Sequence, residues 1–421
     1  MIGALSVGFL NYAFYPIMGR ILQPTAFGEV QVLFSLFAQI TIFLNVLSLI
    51  TVTIVANYSD SVKRDAMVKE LEKLALWCSV ALVFGALIFA PVLRSFFHFN
   101  HTLPFVLLAV AILAGTPLAF RSGFLRGQKK FGLVTIASLA ASIGNILFSV
   151  SLALAGFGSI GALAGLAIGQ FAAFNLAAFF AHKHGLRSRQ SQSEKSKTKK
   201  IVDFKFVAPE LRYAGLVLIG SLCVTSLYTL DTVVAKHYFD ATTAGLYAGI
   251  ATIARIIFFA TASVLQVMLP SIKRNASTQQ NQRLLSKSLT LLLVVGGLPL
   301  AVFALFPQKI TGLLMGDSYL PFAHLLPWLG LAMLIIAVLN MLIMYHIALR
   351  RYAAGAIAAI GIVLTYGLLT THHQSPDQVV ASICIGSTLN LLILGVWSGM
   401  RAINRGTLSV RTRLQEGGPE L

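Results

Sequence analysis

The sequence predicts an all-α polytopic membrane protein of about 12 transmembrane helices, arranged as two six-helix bundles related by a parallel internal repeat. Three observations carry that prediction: the composition, the placement of the basic residues, and a segment that recurs on both sides of a midpoint linker. Of 421 residues, 57% are apolar and 11% are charged, and the mean hydropathy is +0.81. An ordinary soluble domain has about 25% charged residues, so a water-soluble chain is excluded. Twelve spans of about 20 residues fit this length and leave room for short connections and one longer loop.

The first span is placed at 3–22. It is distinguished from a signal peptide by its lack of a basic leading region and by a second apolar run just behind it. The chain begins almost directly in this helix, which leaves either a minimal tail or a start site placed late. Apolar windows broken by charge, Pro or Gly place the next spans at 33–56, 72–93, 103–122, 131–154 and 160–181. In the sixth, Gly161, Gly165 and Gly169 recur every four residues and let another backbone approach one face, either inside the bundle or in a homodimer. The second set lies at 208–234, 243–269, 285–306, 321–347, 352–370 and 378–400. Pro16, Pro91, Pro117 and Pro299 fall within spans and are expected to bend them, least at 91 and 117, near helix ends. Cys78, Cys223 and Cys384 are far apart in apolar stretches and read as small core residues without a disulfide or metal pattern.

The formal charge of +18, from 32 Lys and Arg against 14 Asp and Glu, would point to nucleic acid in a soluble protein. Here 26 of the 32 basic residues fall in or beside the even-numbered connections and the C-terminal segment, and Arg20, Arg94, Lys236 and Lys309 alone fall on the other side. Basic residues are retained in cytoplasmic loops, so both termini and every even-numbered connection are expected in the cytoplasm, with no nucleic-acid partner. The expected organisation is an N-terminal bundle at 1–181, a basic cytoplasmic linker at 182–207, a C-terminal bundle at 208–400 and a cytoplasmic tail at 401–421. The linker composition suits a connection that touches anionic membrane lipids.

The stretch GRILQPTAFGEVQVLFSL at 19–36 has the same layout as AKHYFDATTAGLYAGIAT at 235–252, an offset of 217 residues that sets Gly28 over Gly245. Each copy is expected to end an outward-running helix, turn, and enter the next helix just after the shared glycine, with Pro24 and Gly28 as turn and cap residues. Six spans per copy is an even number, so the halves lie in the same orientation about an axis along the membrane normal.

No phosphate-binding GxxxxGK[ST] loop, HExxH or GxSxG occurs, which removes support for an ATPase or a familiar hydrolase. Ionisable groups inside hydrocarbon are costly and mark pathways, so Arg255, near the middle of the eighth span, and Asp231, near the outer end of the seventh, are the leading candidates. Arg255 is suited to hold a phosphate through its forked donors, and Asp231 to pair with it, bind a cation or restrain a gate. An interhelical ion pair of structural role is the alternative for both. Arg20 marks the outer end of the first span as a gate, headgroup contact or interface anchor, and Arg212, beside Glu210, marks the inner start of the seventh. Arg121 and Arg126 fix the inner end of the fourth span or guide a phosphate. Asn11, Tyr12, Asn145, Gln170, Asn175, Gln266, Asn340 and Asn390 either line a sugar-accommodating path or bond neighbouring helices. His346 is a candidate for proton coupling or for a hydrogen-bonded core position, and His372 and His373 lie in an outer loop.

The stretch at 19–36 resembles the R-x-LG-P-x-x-FG motif of polysaccharide-unit flippases of the Wzx or RfbX type, within the multidrug/oligosaccharidyl-lipid/polysaccharide exporter superfamily. The stretch LDTVVAKHYFDATTAGLYAGIATIARI resembles that family's Asp-bearing seventh helix and the A-G-x-Y start of its eighth. On this resemblance Arg20, Pro24, Phe27 and Gly28 match the first motif, and Asp231, Gly245 and Tyr247 the second; Gln23 replaces the usual glycine. The resemblance implies a MATE-like fold and no catalytic activity. It also implies translocation of undecaprenyl-pyrophosphate-linked oligosaccharide across a bacterial or archaeal cytoplasmic membrane by alternating access. It implies no cofactor, coupling to a proton or sodium gradient, and polysaccharide polymerase or ligase machinery as partners. Two other functions compete: a cation-coupled multidrug or small-molecule antiporter of the same superfamily, and a membrane glycosyltransferase or O-antigen ligase, which would carry a large catalytic outer loop.

Overall fold

The computed structural model describes residues 2–57, 61–184, 204–272, 278–351 and 353–416; the side chains of 2, 4, 5, 61–63, 204–213, 216, 278 and 402–416 lie outside the described set. Among the described residues there is no strand. Helices α1 (Ile2–Ile21), α2 (Pro24–Asn57), α3 (Ser61–Phe96), α4 (Leu103–Gly127), α5 (Phe131–Leu152) and α6 (Gly158–Lys183) form the first bundle. Helices α7 (Phe204–Tyr238), α8 (Ala241–Ser271), α9 (Thr278–Leu305), α10 (Pro307–Leu314), α11 (Leu326–Ala348), α12 (Ala353–Thr371) and α13 (Pro376–Glu416) form the second. Ten segments among the described residues are long and apolar enough to cross a membrane, and one of them, Phe131–Lys183, holds both α5 and α6. The chain is a multi-pass membrane protein. Its charge-poor end is called the outer end below, in line with the expected orientation.

The repeat is visible in the packing. In the first bundle α2 packs on α4, α4 on α6, α5 on α6, α1 on α5 and α3 on α4; in the second, α8 packs on α11, α11 on α13, α12 on α13, α7 on α12 and α9 on α11. These are the same five pairings with α10 inserted. The bundles meet chiefly through α2 against α7 and α8.

The glycine steps of α6 are used inside the bundle. A Cβ on Gly161 would stand 2.9 Å from Leu152 Cβ, one on Gly169 would stand 2.9 Å from Asn145 N, and one on Gly165 would overlap Ser149. Two antiparallel helices thus approach backbone to backbone, joined at the outer end by a tight turn through Gly156 (φ 92°) and Gly158 (φ 52°), a region that favours glycine.

Several expectations are corrected. α2 begins at Pro24, its favoured first position, so Gly28 lies inside the helix, as Gly245 lies inside α8. Neither glycine caps a helix. The polar start of α2 escaped a hydropathy window, and the outer turn is only Leu22 and Gln23. The tenth span starts at Leu326, since α10 and a 3-10 turn, Asp317–Leu325, occupy the outer connection before it. Helix α13 continues through the expected tail to Glu416. Cys223 is buried and Cys384 half-buried, but Cys78 is exposed on α3, which packs mainly on α4 and leaves an apolar face outside the bundle. The linker falls largely in 185–203, outside the described residues.

Candidate functional site

A cleft opens between the bundles, lined by Tyr12 and Tyr15 of α1, Gln31, Phe34, Ser35 and Ala38 of α2, Tyr228 and Thr229 of α7, and Thr252, Arg255 and Phe259 of α8. Its volume is about 50 Å³, well below the ~300 Å³ at which ligand pockets begin. Outward of it α8 is buried on nearly every face from Ala244 to Arg255; inward, Phe259, Ser263, Gln266 and Val267 form an exposed stripe.

Arg255 and Asp231 come together. Arg255 Nη2 lies 3.2 Å from Asp231 Oδ1 and also donates to Thr232 Oγ1, while Nε donates to the Tyr228 carbonyl at 2.8 Å. Tyr247 donates its hydroxyl to Asp231 Oδ2 at 3.1 Å, and Thr232 lies 3.3 Å from Oδ1. Asp231 is 0% exposed and Arg255 5%. A desolvated pair persists only when its remaining donors and acceptors are satisfied, and this carboxylate has three partners. The guanidinium is held by Nε and Nη2, and Arg255 is among the residues that line the cleft. The pair is structural in its contacts and still presents cationic charge to the space between the bundles.

Side chains bridge the bundles around this pair: Tyr12, a candidate from the sequence, and Gln31 and Gln39, which were unread there. Gln31 donates to Thr252 Oγ1, Tyr12 donates to the Thr252 carbonyl at 3.2 Å, and Gln39 reaches Ser226 at 3.2 Å and Thr229 at 3.0 Å. A polar side chain in an apolar helix was the available mark for Gln31 and Gln39.

The first-motif residues and Gly245 of the second gather at the outer junction, while Asp231 and Tyr247 stay with Arg255. A Cβ on Gly28 would stand 2.9 Å from Gly245 Cα, and one on Gly245 would overlap the Pro24 carbonyl oxygen. Phe27 meets Tyr319 edge to face, with centroids 6.1 Å apart. Arg20 donates through Nη2 to the Gly312 carbonyl at 3.4 Å and to that of Leu313, at the C-terminal end of α10, where a cation complements the helix dipole. Arg20 thus ties α1 of one bundle to α10 of the other. It borders a groove of about 520 Å³ with Gln23, Asp317 and Ser318.

The other candidates sit apart from the cleft. Asn11 accepts from Ser142 at 2.7 Å and joins α1 to α5. Asn145 accepts from Ser149 at 3.1 Å, Asn175 donates to Phe171, and Asn390 donates to Ala358 at 3.4 Å. Arg121 pairs with Glu72 at 2.8 Å across α3 and α4. His346 is fully buried between Ser398 (3.0 Å) and Arg351 (3.2 Å), at the inner end of the second bundle. The Arg212 side chain lies outside the described residues.

The profile of the family described as "Polysaccharide biosynthesis protein" matches residues 1–276. Among solved structures, "Lipid II flippase MurJ, inward closed conformation" superposes with a TM-score of 0.74 at 14% identity, covering 93% of this chain and 86% of that one. An inward-facing multidrug resistance MATE family transporter of the MOP superfamily gives 0.71 at 15% identity, covering 95% and 97%. An outward-facing MATE family transporter gives 0.58 at 15% identity, covering 94% and 92%. No curated protein sequence matches the chain. At these identities the likeness shows the fold, which is that of MOP-superfamily transporters.

Proposed function

The chain belongs to the polysaccharide biosynthesis protein family, and from that membership we propose that it moves lipid-linked oligosaccharide units between leaflets by alternating access, as a transporter and not an enzyme. One observation carries the reading: Arg255, fixed by Asp231, lines an inter-bundle cleft. A diphosphate headgroup cannot enter hydrocarbon unshielded. A guanidinium beside tyrosines and glutamines in a cleft between two rigid bundles supplies counter-charge and hydrogen bonds while the lipid tail stays in the bilayer.

The closed outer junction and the exposed inner half of α8 support an inward-facing arrangement, as does the better superposition on an inward-facing than on an outward-facing transporter. A cleft of about 50 Å³ holds no sugar diphosphate, so loading requires the inner halves to part. Coupling to a proton or sodium gradient is part of this proposal, with the buried Arg255–Asp231 pair as the element on which the ion would act. The substrate would be an undecaprenyl-pyrophosphate-linked oligosaccharide in a bacterial or archaeal cytoplasmic membrane, handed on to polymerase or ligase machinery.

The test is leaflet-resolved translocation of labelled undecaprenyl-pyrophosphate oligosaccharide in proteoliposomes, comparing the intact chain with Arg255→Ala. Undiminished transport in the variant would overturn the assignment of Arg255. A second reading, efflux of a flat organic cation, is favoured by the aromatic lining of Tyr12, Tyr15, Phe34, Tyr228 and Phe259. Cation uptake under an imposed gradient, without oligosaccharide translocation, would establish it.

A further inference from the structure

Lys236 is 1% exposed near the outer end of α7, and among the described residues its Nζ has no hydrogen-bond partner. The ammonium lies 5.4 Å from the ring centroid of Phe99, in the connection between α3 and α4 of the opposite bundle. Beside it, His237 Nδ1 lies 2.8 Å from the Phe96 carbonyl, and its ring stacks on Phe96 at 3.9 Å. Lys236 is thus sealed by contact between the bundles. Glu29 of α2 and Asp240 act on it electrostatically, without a salt bridge to either among the described residues. A buried ammonium normally has its donors satisfied, and this one does not.

Its place on α7 gives the missing partner a direction. Thr229 lines the cleft with Arg255, and Lys236 lies seven residues further on, about two turns and roughly 10 Å outward on nearly the same face. Resting on the transport reading above, we propose that Lys236 is the outward-side counter-charge for the lipid diphosphate. It is sealed and unpaired while the outer end is closed, and uncovered to pair with the anion when that end opens. An anion that binds Lys236 in the open state alone must shift the equilibrium toward opening. The cost of the unpaired ammonium in the closed state makes that state easier to leave when a diphosphate is present.

The full chain, with Cys78, Cys223 and Cys384 replaced by serine, is spin-labelled at Gln23→Cys and Ser318→Cys, which line the outer groove from different bundles. In nanodiscs, undecaprenyl diphosphate is expected to lengthen the distance between the labels. Lys236→Met should need at least tenfold more of this lipid for the same shift, and Lys236→Arg should restore it. Without lipid, Lys236→Met should raise the apparent Tm, since an unpaired buried charge is removed; a lowered Tm would make Lys236 a structural anchor and overturn the proposal. Equal lipid-driven opening in wild type and Lys236→Met overturns this inference alone. A wild-type chain that binds no undecaprenyl diphosphate by native mass spectrometry overturns the transport reading, and this inference with it.

Discussion

Gly28 and Gly245, separated by 217 residues and equivalent in the internal repeat, pack against each other where α2 crosses α8 at the outer end. The two copies of one motif therefore form both sides of one contact between the bundles. Gly245→Ala is expected to act more strongly than Gly28→Ala. Both methyl groups meet backbone, which cannot rotate away, but the Gly245 methyl would overlap the Pro24 carbonyl, whereas the Gly28 methyl would stand 2.9 Å from Gly245 Cα. Overpacking costs about 1–3 kcal/mol, and here the cost falls on the outer-closed state. The population with a longer distance between spin labels at Gln23→Cys and Ser318→Cys, on the two sides of the outer junction, should rise by about tenfold for each 1.4 kcal/mol. An unchanged distance distribution in Gly245→Ala would show that this crossing does not hold the outer end shut.

Arg20→Ala removes a cation from the last carbonyls of α10 without touching a packed core. The contact is exposed, so a weakening of about 0.3–1 kcal/mol is expected, falling further as salt rises. The longer-distance population of the Gln23→Cys and Ser318→Cys label pair should increase severalfold at low salt and converge on wild type at high salt. Arg20→Lys should rescue most of the effect, since both bonds come from the single nitrogen Nη2 and an ammonium has donors enough for two carbonyls.

Structural and transport roles of the Arg255–Asp231 pair separate in a double substitution. Arg255→Met alone leaves Asp231 buried and uncompensated, a loss of about 3–5 kcal/mol, and should lower both Tm and transport. Arg255→Met with Asp231→Leu replaces both charges with apolar volume and should recover most of the stability, since exchange of a buried pair for packed side chains is often neutral. Transport should stay lost. Recovered transport in the stable double variant would reduce the pair to a helix clamp.

The span count and the ionic pair were legible because both break a strong background: long apolar runs set the helices, and charges inside them are few enough to name. Gln31 and Gln39 were not legible because amides are common in membrane helices and nothing local separates a bridge between bundles from a bond within one. Gly28 was recognised but misread, because a glycine four residues after Pro24 looks like a turn until its partner across the repeat is placed. Helix α10, PQKITGLL, is too short and polar to register as a span, so the partner of Arg20 was hidden. Lys236 was counted only among the few basic residues of the outer side, and only the packing of Phe99 over it reveals its burial.

Asp240 gives the outer end of α8 a pH dependence of known sign. Its Oδ2 accepts from the backbone N–H of Thr242 and Thr243, each at 3.0 Å, as an N-cap between α7 and α8. Hydrogen bonding from the Thr243 side chain, then from the Thr243 and Thr242 amides, holds its carboxyl below the ordinary aspartate value of 3.8, against a smaller opposing effect of burial. Its stabilising contribution is therefore fully present above the unfolded-state value and is lost as pH falls through the lower folded-state one. Amide exchange at Thr242 and Thr243, corrected for intrinsic rates, should accelerate below about pH 4 in the wild type. Asp240→Asn, which caps without titrating, should abolish that acceleration, while Asp240→Ala should be faster at every pH by a cap worth about 1 kcal/mol. An acid-induced acceleration that persists in Asp240→Asn would place the titrating group elsewhere.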